Sequence, residues 1–347
     1  MEFLIRFVQI HETFHRPEID ALAVLANVDV NFLSYSEDVC TIASLSFCED
    51  LSTLFILTFI HNMSLTSAQS PYSVVRLKDE ASAKALVSRS ISSKGIYELW
   101  GTGTTYEELH EDLKQRSSSQ WPRYQSCSFK FEFDTFSGSR SLPEQRMIIE
   151  SFRYMNFNGP IKMKDPEQTF TIFEEYEYGN GEEGPLRLFL GRFVGGTQRH
   201  ILNEYTLKKR DYINTTSMDS ELALLTANLT LAAPNKIFYD PFVGTGSFPI
   251  ACSHFGAMSM GSDIDGRMVR GKGGKDIRTN FRQYGLLGRY LDGWISDLTY
   301  SPLREGRWLD GIIGDPPYGV REGLKVLGTR DGGGKEVVWI NGELAHL

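Results

Sequence analysis

Between residues 236 and 319 one pattern recurs: a short apolar run, an acid-bearing loop, then a more polar stretch. The runs at 236–239, 258–262 and 308–313 have strand length, and LDGWI before Ser296-Asp297 reads as another. Strands alternating with loops and helices build a parallel, doubly wound sheet. Such sheets bind ligands in the crevice beyond the carboxyl ends of their strands, where these acidic loops fall.

The first loop is Asp240-Pro-Phe-Val-Gly244-Thr-Gly246-Ser-Phe248. Gly244 and Gly246 let the backbone approach a ligand closely and adopt turns that other residues resist. A dinucleotide loop wants a third glycine, which is absent, and an acid facing the loop suits an ammonium group better than a pyrophosphate. A plain strand-to-helix turn is the competing reading. Asp263, in GSDID, stands where an acid accepts from ribose hydroxyls. Asp265 beside it holds the loop, and either acid also fits a helix N-cap. Asp297 is placed to accept from an adenine amine. Together these features predict an S-adenosylmethionine (SAM) site.

The second loop is Asp315-Pro316-Pro317-Tyr318-Gly319. The exocyclic amine of a purine is a poor nucleophile because its lone pair is delocalised into the ring. A carboxylate and a backbone carbonyl accept its two hydrogens and favour a localised pair. Prolines stiffen the loop and remove competing N–H donors. An aromatic ring stacks on the base. Asp315, the Pro316 carbonyl, Pro317 and Tyr318 fill these roles, and a rigid loop with a capping acid is the alternative.

The formal net charge of −8 argues against a protein that coats nucleic acid through global charge, so any RNA contact must rest on local patches. Lys208, Lys209 and Arg210 form one cationic triple. The four cysteines show no CxxC spacing and the seven histidines no HExxH, so no metal site is expected. The longest apolar run, 51–60, is about half a membrane span. A soluble, cytoplasmic protein without a membrane segment is expected.

Upstream, 3–10 and 73–77 read as strands, with helices at 17–27 and at 78–90, the latter with Ala81, Ala85 and Leu86 on one side. A helix at 106–114, a polar linker at 117–120, strands at 129–133, 170–176 and 186–193 and a helix at 143–152 read as a second α+β unit. Phe129, Phe131 and Phe133 read as core. Residues 40–70 break the rhythm and read as a surface insertion, as a buried strand plus loop, or as non-native sequence. A helix at 219–232, with Leu222, Leu225 and Leu229 on one face, opens the last part.

DPFVGTGSF, SDID, NFRQYGL and DPPYGVREG resemble the catalytic subunit of the eukaryotic tRNA guanosine-10 N2-methyltransferase family. So do FVQIHETFHRPEIDAL, GIYELWGTGTTYEELHEDLK and LKKRDYINTTSMDSELAL, so the resemblance runs over most of the chain. It implies a ferredoxin-like unit at 1–100, a THUMP-like RNA-binding unit at 101–195, a linker at 196–214 and a Rossmann-like methyltransferase domain at 215–347. It implies SAM as cofactor, held by Asp240, Gly244, Gly246, Asp263 and Asp297, with Thr215 and Thr216 toward the cofactor's carboxylate. It implies tRNA as substrate and a small zinc-binding activator as partner subunit. Family members continue beyond the length seen after DPPY, so a domain incomplete at its last strands is expected. Two other functions use the same residues: N6-adenine methylation of nucleic acid, and tRNA binding without catalysis.

Overall fold

The computed structural model describes residues 1–35, 70–177, 184–215 and 217–317, and the backbone of Leu324–Arg330 and Gly334–Ile340. The expectations for 40–69, Thr216 and Tyr318 lie outside the described residues. Two compact units are present, divided after Arg199.

The first unit is built on β1 (Glu2–Phe7), α1 (His15–Ala26), β2 (Asn31–Ser34), β3 (Tyr72–Arg76), α2 (Glu80–Val87), β4 (Ser93–Gly103), α3 (Tyr106–Arg116), β5 (Phe129–Phe136), α4 (Leu142–Ser151), β6 (Gln168–Glu175) and β7 (Arg187–Gly196). Its strands join in one seven-stranded sheet, ordered β2-β3-β1-β4-β7-β6-β5. All neighbours are antiparallel except β5 and β6. The boundary expected near residue 100 falls inside β4. That strand pairs with β1 on one edge and β7 on the other, so the sheet is continuous across it.

Side chains alternate between the two faces, as a pleated strand requires. Phe3, Ile5 and Phe7 enter a core with Ile19, Leu22, Leu86 and Val87 of α1 and α2. Leu4 points the other way, into a cluster with Tyr72, Phe173 and Phe189. At the far end Trp100, Leu109, Leu113 and Phe170 form a third cluster, against which Phe129, Phe131 and Phe133 pack as expected of core residues. The stripe read on α2 is shifted: Ala81 and Ala85 are exposed, and Ala83, Leu86 and Val87 are buried. The stretch at 117–120 is not a bare linker, since Ser118–Tyr124 forms a 3-10 helix.

Glu18 ties α1 to the turn before β4. Its buried carboxylate accepts from Ser90 Oγ at 2.8 Å, Ile91 N at 2.8 Å, and Ser92 N and Oγ at 2.9 and 2.5 Å. Glu18→Ala strands these donors in a dry interior, where an unmet polar group is costly. We expect a loss of about 3 kcal/mol in the urea unfolding transition; a loss below roughly 1 kcal/mol would contradict the anchoring role.

The second unit contains α5 (Leu202–Tyr205), α6 (Ser220–Leu229), β8 (Ile237–Asp240), α7 (Ser247–His254), β9 (Met258–Asp263), α8 (Gly266–Arg270), α9 (Ile277–Gln283), β10 (Tyr290–Ile295) and β11 (Gly311–Ile312). The strands form a parallel sheet ordered β10-β9-β8-β11, the alternating α/β arrangement that the sequence predicts. Asp219 caps α6, accepting from Glu221 N and Leu222 N. The buried face of α6 is centred on Leu224, Leu225 and Ala227 rather than on Leu222 and Leu229. The remaining strands, β12 (Leu324–Arg330) and β13 (Gly334–Ile340), pair with each other as an antiparallel ribbon.

Candidate active site

Strand β8 ends on Asp240, and the chain turns through Gly244 and Gly246 into α7. Both glycines have positive φ, 49° and 86°. A Cβ on Gly246 would stand 2.9 Å from Ile277 Cγ2, whereas one on Gly244 would meet only the Phe242 carbonyl at 3.8 Å. Gly246 is therefore required by packing, and Gly244 leaves the backbone open to a ligand.

Asp240 and Asp263 meet at this loop. Asp263, ending β9, accepts from Gly244 N at 2.9 Å and from Asp265 N at 2.8 Å. Asp265 caps α8 by accepting from Arg267 N, the capping alternative weighed for it. Asp297 is buried one residue beyond Ser296, whose N–H donates to the Asp263 carbonyl at 3.1 Å. The backbone thus fastens the ends of β9 and β10 to each other and to the glycine loop.

The two loops also touch. Ile313 N donates to the Tyr239 carbonyl at 3.0 Å, which seats β11 beside β8. A Cβ on Gly314 would stand 2.9 Å from Asp240 Oδ1, so the backbone immediately before Asp315 lies on the Asp240 carboxylate. Asp315 and Pro317 are half-buried and Pro316 is exposed.

Burial holds the Asp240 carboxyl well above the ordinary carboxylate range. The hydrogen bond from Phe242 N, 2.9 Å, opposes this, while the charges of Asp263 and Asp315 raise the value further. Convergent negative charge around an open glycine backbone calls for a cationic ligand. A molecule carrying an ammonium or sulfonium group and ribose hydroxyls fits these donors and acceptors. Among the described residues no three His, Cys, Asp or Glu side chains are grouped as metal ligands.

Other expected contacts fall differently. Thr215 is exposed, and its N–H donates to Asn214 Oδ1. Instead Ser217 reaches the glycine loop, its Oγ lying 2.8 Å from Thr245 Oγ1. Lys208 and Lys209 are exposed, as an RNA contact requires. Arg210 is corrected: it is buried, and donates to Ser247 Oγ at 2.6 Å at the start of α7. Its charge braces the domain interior and is not presented to RNA.

Asn280 is the positioning residue that motif reading passed over. Fully buried on α9, it accepts from Tyr212 N and donates to the Tyr212 carbonyl, both at 2.8 Å, and to the Thr245 carbonyl at 3.1 Å. Its signal was a lone amide in the apolar stripe Ile277-Asn280-Phe281. Asn280→Ala leaves these groups unmet, and we expect about 2 kcal/mol less stability in the unit's thermal unfolding. An unchanged midpoint would remove Asn280 from the loop's support.

Residues 1–54 and 48–199 match the family model described as the Tmrp11 THUMP N-terminal domain. Residues 208–327 match the RMKL-like methyltransferase domain. The tRNA (guanine(10)-N(2))-methyltransferase of Saccharomyces cerevisiae is 40% identical, in an alignment covering 100% of this chain and 75% of the yeast protein. That of Schizosaccharomyces pombe is 40% identical, covering 94% of this chain and 70% of the relative. The human tRNA (guanine(10)-N(2))-methyltransferase TRMT11 is 35% identical, covering 76% and 61%. With a methyltransferase domain, a THUMP-type N-terminal half and relatives of this identity and extent, the chain belongs to the tRNA (guanine(10)-N(2))-methyltransferase family.

Proposed function

We propose that the chain methylates the exocyclic N2 amine of guanosine 10 in tRNA, with SAM as the donor. The observation that carries this reading is the seating of the Asp315 loop directly on Asp240, which supports reading Asp315 as the amine acceptor and Asp240 as the acid for a cationic ligand. In this reading Asp240 takes the ammonium end of SAM, Asp263 the ribose hydroxyls and Asp297 the adenine amine. When bound, SAM supplies an electrophilic methyl on a sulfonium. Asp315 and the Pro316 carbonyl accept the two hydrogens of the guanine amine and hold it in line. Pro317 stiffens the loop and Tyr318 stacks on the base. Catalysis is then mainly positioning, the effect that converts a bimolecular encounter into an oriented one.

The THUMP-type half supports an RNA substrate over DNA, with the exposed Lys208 and Lys209 as RNA contacts. Among the described residues no helix is long and apolar enough to cross a membrane. We assign the enzyme to the cytoplasm, with a small zinc-binding activator as its partner subunit, on the family resemblance. The test is transfer of labelled methyl from SAM to unmodified tRNA by the full chain, with and without that partner. Label that enters guanosine supports the reading. Label that enters adenosine favours N6-adenine methylation, and tRNA binding without transfer favours a non-catalytic role.

A further inference from the structure

One surface feature is not absorbed by that assignment. Between Gly266 and Arg282 lie six cations (Arg267, Arg270, Lys272, Lys275, Arg278 and Arg282) and one anion, Asp276, in a chain of net charge −8. The centre of this segment is a tight hairpin built by glycine. Gly271 ends α8 at φ 78°, where a Cβ would stand 2.1 Å from the Lys275 carbonyl oxygen. Lys272 and Lys275 exchange backbone hydrogen bonds of 2.8 and 3.1 Å across Gly273 and Gly274. Those two glycines have φ 61° and 77°, the signature of a type I′ turn.

The cations of this turn are not equivalent. Lys275 donates to Asp211 Oδ1 at 2.7 Å, Arg267 pairs with Asp265, and Arg278 pairs with Asp292. Arg270 and Lys272 are exposed and make no ion pair among the described residues. The helix that leads into the turn is also held in place: Tyr212 OH donates to the Met268 carbonyl at 2.9 Å, and Asn214 Nδ2 to Met268 Sδ at 3.3 Å. Between the turn and residues 211–214 lies a cleft of about 720 Å³, lined by Asp265 and Lys272 among others. Asp265 is bonded to Asp263, so this cleft opens beside the predicted ribose acid.

We propose that the Arg270–Lys275 turn is a phosphate grip for the tRNA backbone next to the target base, with Arg270 and Lys272 as its contacts and Lys275 as the strut that holds it. The inference rests on reading the chain as a tRNA methyltransferase and adds a docking element to it. A glycine hairpin exposes backbone N–H groups along with its cations, and phosphate contacts of this kind fix register without reading sequence. The local charge is what an otherwise acidic protein needs to dock a polyanion near its active site.

The test uses the full chain carrying Arg270→Gln and Lys272→Gln together, both at exposed positions. Expected is a tRNA Kd raised about tenfold near 0.15 M salt, with the slope of log Kd against log salt shallower by roughly 1.5 to 2. The Kd for SAM, measured by calorimetry on the same sample, should stay within about twofold, since the two cations carry charge to the RNA and not to the cofactor. Unchanged tRNA affinity and slope in the variant, with normal binding by the unaltered chain, sinks this proposal alone. A SAM Kd that rises in step with the tRNA Kd also sinks it, because the turn then serves the cofactor. Failure of the unaltered chain to bind tRNA at all removes the functional reading and this inference together.

Discussion

Replacing Asp315 with alanine is expected to lower methyl transfer about 10³-fold while tRNA affinity stays within roughly threefold, the size seen when a group acting on developing charge or a moving proton is lost. The guanine amine must present a localised lone pair, and in the proposed reading Asp315 accepts one of its hydrogens. The loss should fall on kcat and leave KM for tRNA nearly unchanged, which marks an interaction made mainly in the transition state. A second consequence separates this role from a scaffolding one. The charge of Asp315 helps to raise the Asp240 carboxyl. Its removal therefore lets Asp240 ionise at lower pH, and SAM binding in the variant should persist further into acid than in the unaltered chain. If transfer, SAM binding and tRNA binding all fall together, the loop is structural and the assignment of Asp315 is wrong.

Asp240→Asn is expected to stabilise the unliganded chain at neutral pH and to weaken SAM binding by at least about 100-fold, the scale of losing one member of a buried charge pair. The sign follows from the raised folded-state value. A carboxyl easier to protonate when folded contributes stability that is fully present below its unfolded value, near 4, and is lost as pH rises through the folded value. Above the unfolded value folding therefore bears the cost of burying this acid, which asparagine removes. Near pH 4 the substitution should change the thermal midpoint little. SAM affinity of the unaltered chain should fall as pH drops through the raised value, because the protonated acid no longer meets an ammonium. Calorimetry in two buffers of different ionisation heat should show proton release on binding at intermediate pH. A variant that loses stability at neutral pH yet binds SAM normally would contradict both statements.

Much of the site could be read locally because its parts sit at the ends of strands in their own motifs. Asp240, Gly244 and Gly246 are one loop, and Asp315 to Pro317 another. The supports could not be read this way, because they act across long sequence separations. Asn280 holds Tyr212 and Thr245, and Ser217 holds Thr245, through side-chain hydrogen bonds that no spacing rule encodes. Arg210 was misread because a cationic triple looks solvated whether or not one member turns inward. In the N-terminal half, β4 escaped strand reading for a related reason. Ser93–Gly103 is a central strand, covered on both faces by apolar clusters, so SKGIYELWGTG lacks the alternation that marks a half-exposed strand. Missing that strand also invited a boundary near residue 100, where the sheet is continuous.

In the proposed function the Asp240 and Asp315 loops form one site that methylates a guanine amine. The decisive experiment incubates unmodified tRNA with the full chain, SAM and the proposed activator subunit, then sequences nuclease fragments by mass spectrometry. N2-methylguanosine is expected in the fragment containing position 10, with no added methyl elsewhere. Methylated adenosine, or unmodified position 10 in tRNA that is bound together with SAM, would contradict it.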